Sequence, residues 1–239
     1  KIDAVDETMH QLLMQRAGVI DALIEIKGAA SNKGAAFRPG REAAMMEVLS
    51  QRHKGSIPFG MIAHVWREII STFTWLQAKY DVHIVAGDAA LRDLARFQFG
   101  FTVGLYDHAD LASVLAATKS QTNAIALVSA ETPGPWWQAL GANNGLMIMA
   151  HLPIHALDFE APEAFAIAPP LTDPSPFDVR LYAGRLAALE EAQSWPEGML
   201  AASTPDGAVL VAVREGQKAP TGLLDISAVG GYFAPQLDL

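Results

Sequence analysis

Apolar side chains recur in steps of three and four at the start of the chain: Ile2, Val5, Met9, Leu12, Val19, Leu23 and Ile26. This heptad-like stripe predicts one unbroken helix to about Lys27, roughly 40 Å long. No proline interrupts it before Pro39. A small lone domain cannot bury a stripe of that length, so a partner helix from a second subunit is expected. Gly28 to Gly34 read as a loop. A shorter helix follows Pro39, carries Met45, Met46, Val48 and Leu49, and ends by Gly55. Ser56-Ile57-Pro58 reads as the start of a third helix, with Ser56 as its N-cap. Its stripe is Ile62, Val65, Trp66, Ile69, Ile70, Phe73 and Leu76.

Near Asp81 the pattern changes. Val82, Ile84 and Val85 form a strand-like run ended by Gly87. Helical patterns follow at Ala89 to Phe97 and Asp110 to Thr118, then the buried-strand run Ala124 to Val128. Trp136 to Leu140 reads as a short helix, and Gly145 to Leu152 as another strand. Residues 158–178 hold five prolines among small and acidic residues and read as a linker. Beyond them come a strand (Val179 to Leu186), a helix (Leu189 to Gln193) and strands at Met199 to Ser203, Ala208 to Glu215 and Leu223 to Ile226. Thr204-Pro205-Asp206-Gly207 is a turn. The expected fold is therefore multi-domain. An all-α three-helix domain (1–82) precedes an α/β lobe (83–157), a Pro-rich linker (158–178) and a small α+β region (179–239).

Composition narrows the function classes. The formal charge is −9. That balance argues against a nucleic-acid partner, whose footprint is basic. Any anion site must be a local basic pocket in an acidic protein. With no cysteine, disulfides, Cys-zinc sites and thiol nucleophiles are excluded, which suits a cytoplasmic location. No apolar run approaches the roughly 18 residues of a membrane span, and no signal peptide is recognisable. The chain opens with Lys1 rather than Met, so an upstream segment is expected.

Two cations interrupt the first stripe. Arg16 lies on it between Leu12 and Val19, and Lys27 follows about three turns later on nearly the same face, roughly 16 Å along the axis. A cation on an apolar face needs an acidic neighbour or an anionic ligand; otherwise it snorkels to solvent. Gln77 falls on the apolar side of the third helix, four residues after Phe73, and reads either as a buried amide needing partners or as a fraying helix end. Arg41 and Glu42, side by side, read by spacing alone as a solvated pair.

Taken together, these residues resemble a known set. Ile2-Asp3-Ala4-Val5-Asp6-Glu7 with Leu12-Leu13-Met14-Gln15-Arg16 and a terminal Lys27 resembles the first helix of the all-helical (AroQ-type) chorismate mutases. Arg38-Pro39-Gly40-Arg41-Glu42 resembles their second-helix motif, and Trp66-Arg67-Glu68-Ile69-Ile70-Ser71 followed by Gln77 resembles the third. The resemblance covers about a third of the chain and rests on order and spacing. Two positions depart from it: the family often has an acidic residue where Arg38 stands and a serine near Phe73.

The resemblance implies a homodimer with intertwined first helices, chorismate as substrate, and no cofactor or metal. It implies that Arg16 binds a substrate carboxylate, Lys27 a carboxylate and the ether oxygen, Arg41 supports the carboxylate site, Glu42 accepts from the ring hydroxyl, and Gln77 donates to the ether oxygen. Phe73 would line the substrate pocket. An arginine supplied by the partner is expected upstream of Lys1.

The remainder resembles prephenate dehydratase modules in a degenerate form, without a Gly-rich opening or a Thr-Arg-Phe triplet, and residues 179–235 loosely resemble an ACT-like fold. Trp136-Trp137 reads either as an aromatic wall for a small ligand, with an aromatic amino acid as candidate effector, or as core packing. His151 and His155 are four apart, but Pro153 breaks the helix a metal pair would need. Asp158, Glu160 and Glu163 read as solvated. Three functions stay open: a mutase with a structural or regulatory lobe, a bifunctional mutase–dehydratase, and a non-catalytic ligand-binding protein on a mutase scaffold.

Overall fold

A computed structural model describes residues 1–27, 37–155, 157, 160–170 and 176–234. The loop expected from Gly28 to Gly34, Asp158 and part of the proline-rich stretch lie outside the described residues.

Three helices open the chain: α1 (Ile2–Lys27), α2 (Pro39–Arg52) and α3 (Phe59–Gln77). The periodic stripe forms α1 as a single rod. Its apolar residues nevertheless stay in water: Ile2, Val5, Met9, Leu12, Leu13, Met14, Val19, Leu23 and Ile24 are all exposed. Among the described side chains of α1, only the stretch around Arg16, Ala17 and Ile20 is half-buried, where α1 meets α3. Pro39 occupies the first turn of α2, where its missing N–H costs nothing. Helix α3 is preceded by Pro58 with no side-chain cap, so Ser56 does not serve as the N-cap. The extended backbone that Pro58 imposes ends the preceding loop instead.

The rest is one nine-stranded sheet in the order β2-β1-β3-β5-β4-β9-β6-β8-β7. The strands are β1 (Asp81–Val85), β2 (Gly104–His108), β3 (Ala124–Ser129), β4 (Met147–Leu152), β5 (Ala164–Ala168), β6 (Val179–Arg185), β7 (Leu200–Ser203), β8 (Ala208–Arg214) and β9 (Leu224–Tyr232). Strand β1 pairs in parallel with both β2 and β3. Helix α4 (Ala89–Phe99) and helix α5 (Leu111–Ser120) connect these three. Asp88 and Asp110 cap them by accepting from Leu91 N and Ser113 N. The period-two pattern of β3 divides the cores: Ile125 and Leu127 face α4, whereas Ala126 and Val128 face α5. Helices thus cover both faces at this end, as a doubly wound sheet requires. From β5 onward pairing is mainly antiparallel.

Three features differ from the sequence expectation. The proline-rich stretch contains strand β5, which lies between β3 and β4 in the sheet. Strand β2 was not visible in the hydrophobic pattern, because it is an edge strand with an exposed Tyr106 and Asp107. Strand β9 is longer than Leu223 to Ile226 and joins the two halves of the sheet. Its contact with β4 is made at Gly230, where any Cβ would collide with the Ile148 backbone. The strands on either side of the expected linker therefore share one sheet. Trp136–Ala139 and Leu189–Ser194 are 3₁₀ helices.

The helical segment packs on the α4 side of this sheet. Phe37 and Tyr80 belong to the same core as Val82, Leu94 and Phe99, with Ala43 and Trp75 packed against it. A smaller core of Met46, Ala63 and Ile70 meets Phe97 of α4. Helices α2 and α3 are therefore part of the lobe's covering layer, and α1 is the element left projecting.

Candidate active site

The site is built where α1, α2 and α3 converge. Arg16, placed on the apolar stripe of α1, lays its guanidinium over the Phe73 ring of α3, with its central carbon 4.3 Å from the ring centroid. Its Nη1 is buried and has no hydrogen-bond partner among the described residues. Burial, and then the nearby Arg41 cation of α2, lower the pKa of Arg16. Two cations are thus held near each other, one with an unspent donor. A carboxylate placed there would relieve the repulsion and accept from that donor.

Gln77 is the last residue of α3. It is half-buried, and its Nε2 donates to the Phe73 carbonyl one turn back at 2.9 Å. Phe73, near which the resemblance expects a serine, therefore touches the site through its ring under Arg16 and through its carbonyl to Gln77. Lys27 closes α1, and its side chain lies outside the described residues.

Glu42 departs from the solvated Arg41–Glu42 pair that spacing suggested. Arg41 is exposed, but Glu42 is only 8% exposed. Its Oε2 accepts from Arg67 Nη1 at 2.7 Å. Neighbours on a helix point about 100° apart, so Arg41 can face α1 while Glu42 turns into the core. Arg67 is 2% exposed, and its Nε and Nη2 have no hydrogen-bond partner among the described residues. Sequence reasoning passed over Arg67 as a site residue. The available signal was its spacing: Gly60, Ala63, Arg67, Ile70 and Ser71 form the buried stripe of α3, and an arginine there needs an acid.

That stripe also fastens α3 to the lobe. Ser71 Oγ donates to the Gln98 carbonyl at 3.1 Å, and the Glu68 carboxylate accepts from Phe101 N. Tyr80, 4% exposed, lies beside Glu42, Arg67 and Ser71, and burial raises its phenol pKa.

Trp136 and Trp137 both pack into the core on the α5 side, 8% and 1% exposed, with ring centroids 5.6 Å apart. Both indole N–H groups lack a partner among the described residues. His151 lies between Phe165 and Tyr232 and 3.4 Å from Glu163. His155 packs edge-on to Phe59. No group of three or more metal-ligating side chains occurs among the described residues. Nor is any helix among them long and apolar enough to cross a membrane.

Residues 1–78 match the family model described as chorismate mutase type II. The helical segment thus carries the match to that family, and it is followed by an α/β region with a nine-stranded mixed sheet. A curated relative, the bifunctional chorismate mutase/prephenate dehydratase of Neisseria gonorrhoeae, is 36% identical over 70 residues. Those residues are 29% of this chain and 18% of that protein, so the match spans less than a fifth of the relative's length. A solved structure titled "GqqA- a novel type of quorum quenching acylases" superposes on 65% of this chain and 95% of its own, with 14% identity and a TM-score of 0.45.

Proposed function

We propose that the protein is a chorismate mutase, converting chorismate to prephenate at the convergence of α1, α2 and α3. The observation that carries this is Arg16: a stacked guanidinium with a buried Nη1 that has no partner among the described residues, held beside a second cation, Arg41. The substrate is a dicarboxylate, and guanidinium groups are its natural clamps. The reaction is a Claisen rearrangement. One C–O bond breaks as one C–C bond forms, so no nucleophile or proton transfer is required. The work is to hold the chair-like conformer and to oppose negative charge growing on the ether oxygen.

In this reading Arg16 and Arg41 bind carboxylate, Lys27 reaches a carboxylate and the ether oxygen, and Gln77 turns its amide from the Phe73 carbonyl to the ether oxygen. Phe73 lines the pocket. Glu42 belongs to the site through its place next to Arg41, with acceptance from the ring hydroxyl as its role. The functional unit is a homodimer in which the exposed stripe of α1 pairs with that of a second copy. The α/β region has a structural or regulatory role, with an aromatic amino acid as the candidate effector. Dehydratase chemistry is not part of the proposal, since no Thr-Arg-Phe triplet occurs.

The test is direct. Chorismate absorbance should fall on adding protein, and Gln77→Ala should lower kcat by about 100- to 1000-fold, the effect of losing one donor to a developing oxyanion. Unchanged kcat in that variant would sink the role of Gln77.

A second reading has its own support: Glu42 is engaged by Arg67, and Gln77 by its own helix. A protein that binds chorismate or prephenate in calorimetry but leaves chorismate unconverted would be a sensor built on the mutase scaffold.

A further inference from the structure

Glu42 and Arg67 lie 25 residues apart in sequence, and the structure joins them at 2.7 Å with Arg67 buried and the Glu42 side chain only 10% exposed. Burial, the largest cause, leaves the Glu42 pKa above the ordinary carboxylate value, and the Arg67 cation, its hydrogen bond and the Arg38 backbone N–H offset part of that rise. The groups around the pair come from several elements. Tyr80, on the approach to β1, faces both partners, with Glu68 of α3 close to the phenol. His155, beyond β4, faces Arg67 and Glu47. Phe37 and Tyr80 both pack on Phe99 of α4, closing the pair off from the lobe side.

We infer that Arg67 is a positioning residue for the mutase site: it holds the Glu42 carboxylate ionised and fixed, and so sets α2 and its Arg41 against Arg16. The inference rests on the mutase proposal only for its kinetic consequence. The physical ground is that a buried carboxylate keeps its charge only when paired and hydrogen-bonded. Arg67 reaches Glu42 from a helix face that is itself bonded to the lobe through Ser71, Glu68 and their partners on and after α4. The lobe is then the footing for the acid at the base of α2. Arg67 acts through Glu42 and touches no substrate.

The test compares wild type with Arg67→Met, Arg67→Lys and the double variant Glu42→Gln/Arg67→Met. Carbon-13 NMR of the glutamate carboxyls follows the titration of Glu42 without needing activity. Its midpoint should rise by at least about one pH unit in Arg67→Met, and Arg67→Lys should reverse part of that rise. An unmoved midpoint overturns the inference. In the kinetic arm, the acid limb of kcat/KM for chorismate loss should move upward with the Glu42 midpoint in Arg67→Met. Each unit of movement lowers the rate about tenfold at a pH below the limb. A profile parallel to wild type, with Glu42 shifted, overturns the link to the site. Should Arg67→Met fail to fold, the double variant must fold, because it leaves no unpaired charge; its failure also overturns the inference. A wild-type protein that leaves chorismate untouched ends the mutase proposal, while the titration still decides whether Arg67 holds Glu42 charged.

Discussion

Arg16→Met separates function from stability in sign. In the folded protein the Arg16 charge is disfavoured, first by partial burial and then by Arg41, and its Nη1 finds no hydrogen-bond partner among the described residues. Against this stands the stacking on Phe73, about 0.5–1 kcal/mol for a partly exposed cation–π contact. Methionine keeps an unbranched stem against the ring and removes the repulsion. The two effects oppose each other, so net stability should change by less than about 1 kcal/mol, or about 2–4 °C in Tm for a chain of this size. Substrate binding should change far more. A hydrogen bond to a charged group contributes about 1.5–3 kcal/mol, which is about 10- to 150-fold in kcat/KM. The site is half-exposed, so the lower part of that range is expected, and most of the loss should fall in KM because carboxylate binding is common to substrate and transition state. The assay is chorismate loss followed spectrophotometrically, beside a thermal melt of the same preparation. A Tm lowered by much more than 4 °C with kcat/KM unchanged would refute the reasoning and make Arg16 a structural residue.

Three further outcomes follow from the geometry. Leu12→Asp, on the exposed stripe of α1, should convert a dimer to a monomer in light scattering while leaving the α/β region folded by circular dichroism; a monomeric wild type would refute the dimer. Trp137→Ala removes one of the largest fully buried side chains and should cost about 3–5 kcal/mol in chemical denaturation, with retained stability showing that the indole is not core. His83, His151 and His155 all have pKa values lowered from 6.5, with burial as the largest cause. The unfolded chain therefore takes up protons before the folded one does, so their stabilising contribution is complete above about pH 6.5 and is lost as pH falls through the lowered values. Tm should drop on acidification from pH 7 to 5, and His83→Gln, which also ends the 2.9 Å contact with His108, should flatten that slope; an unchanged slope would remove His83 as a contributor.

Periodicity made the helices and most strands legible, because one face of each element is buried and the period then appears in the residues. Helix α1 is the clearest case: its stripe marks both its length and, through exposed Val5, Leu12 and Val19, the need for a cover. The same logic failed at β5. Ala164 to Ala168 are buried on both faces and made mostly of small residues, so no alternation distinguishes them from the prolines and acids beside them. It failed at β2 because an edge strand has little buried face to advertise. The cationic site was half-legible. Arg16, Lys27 and Gln77 stand out by pattern, since polar residues on apolar faces need a reason, whereas Arg41 and Glu42 are selected by resemblance alone. The direction of each side chain could not be read. Whether Glu42 faces solvent or core depends on where α2 is set against α3 and the sheet, and that is fixed by Phe37, Tyr80 and Phe99 meeting from distant parts of the chain. The Arg67–Glu42 pair and the Gly230 crossing are likewise products of packing. Local sequence sets which face of an element is apolar, and only the assembled layers decide which polar groups are trapped together behind it.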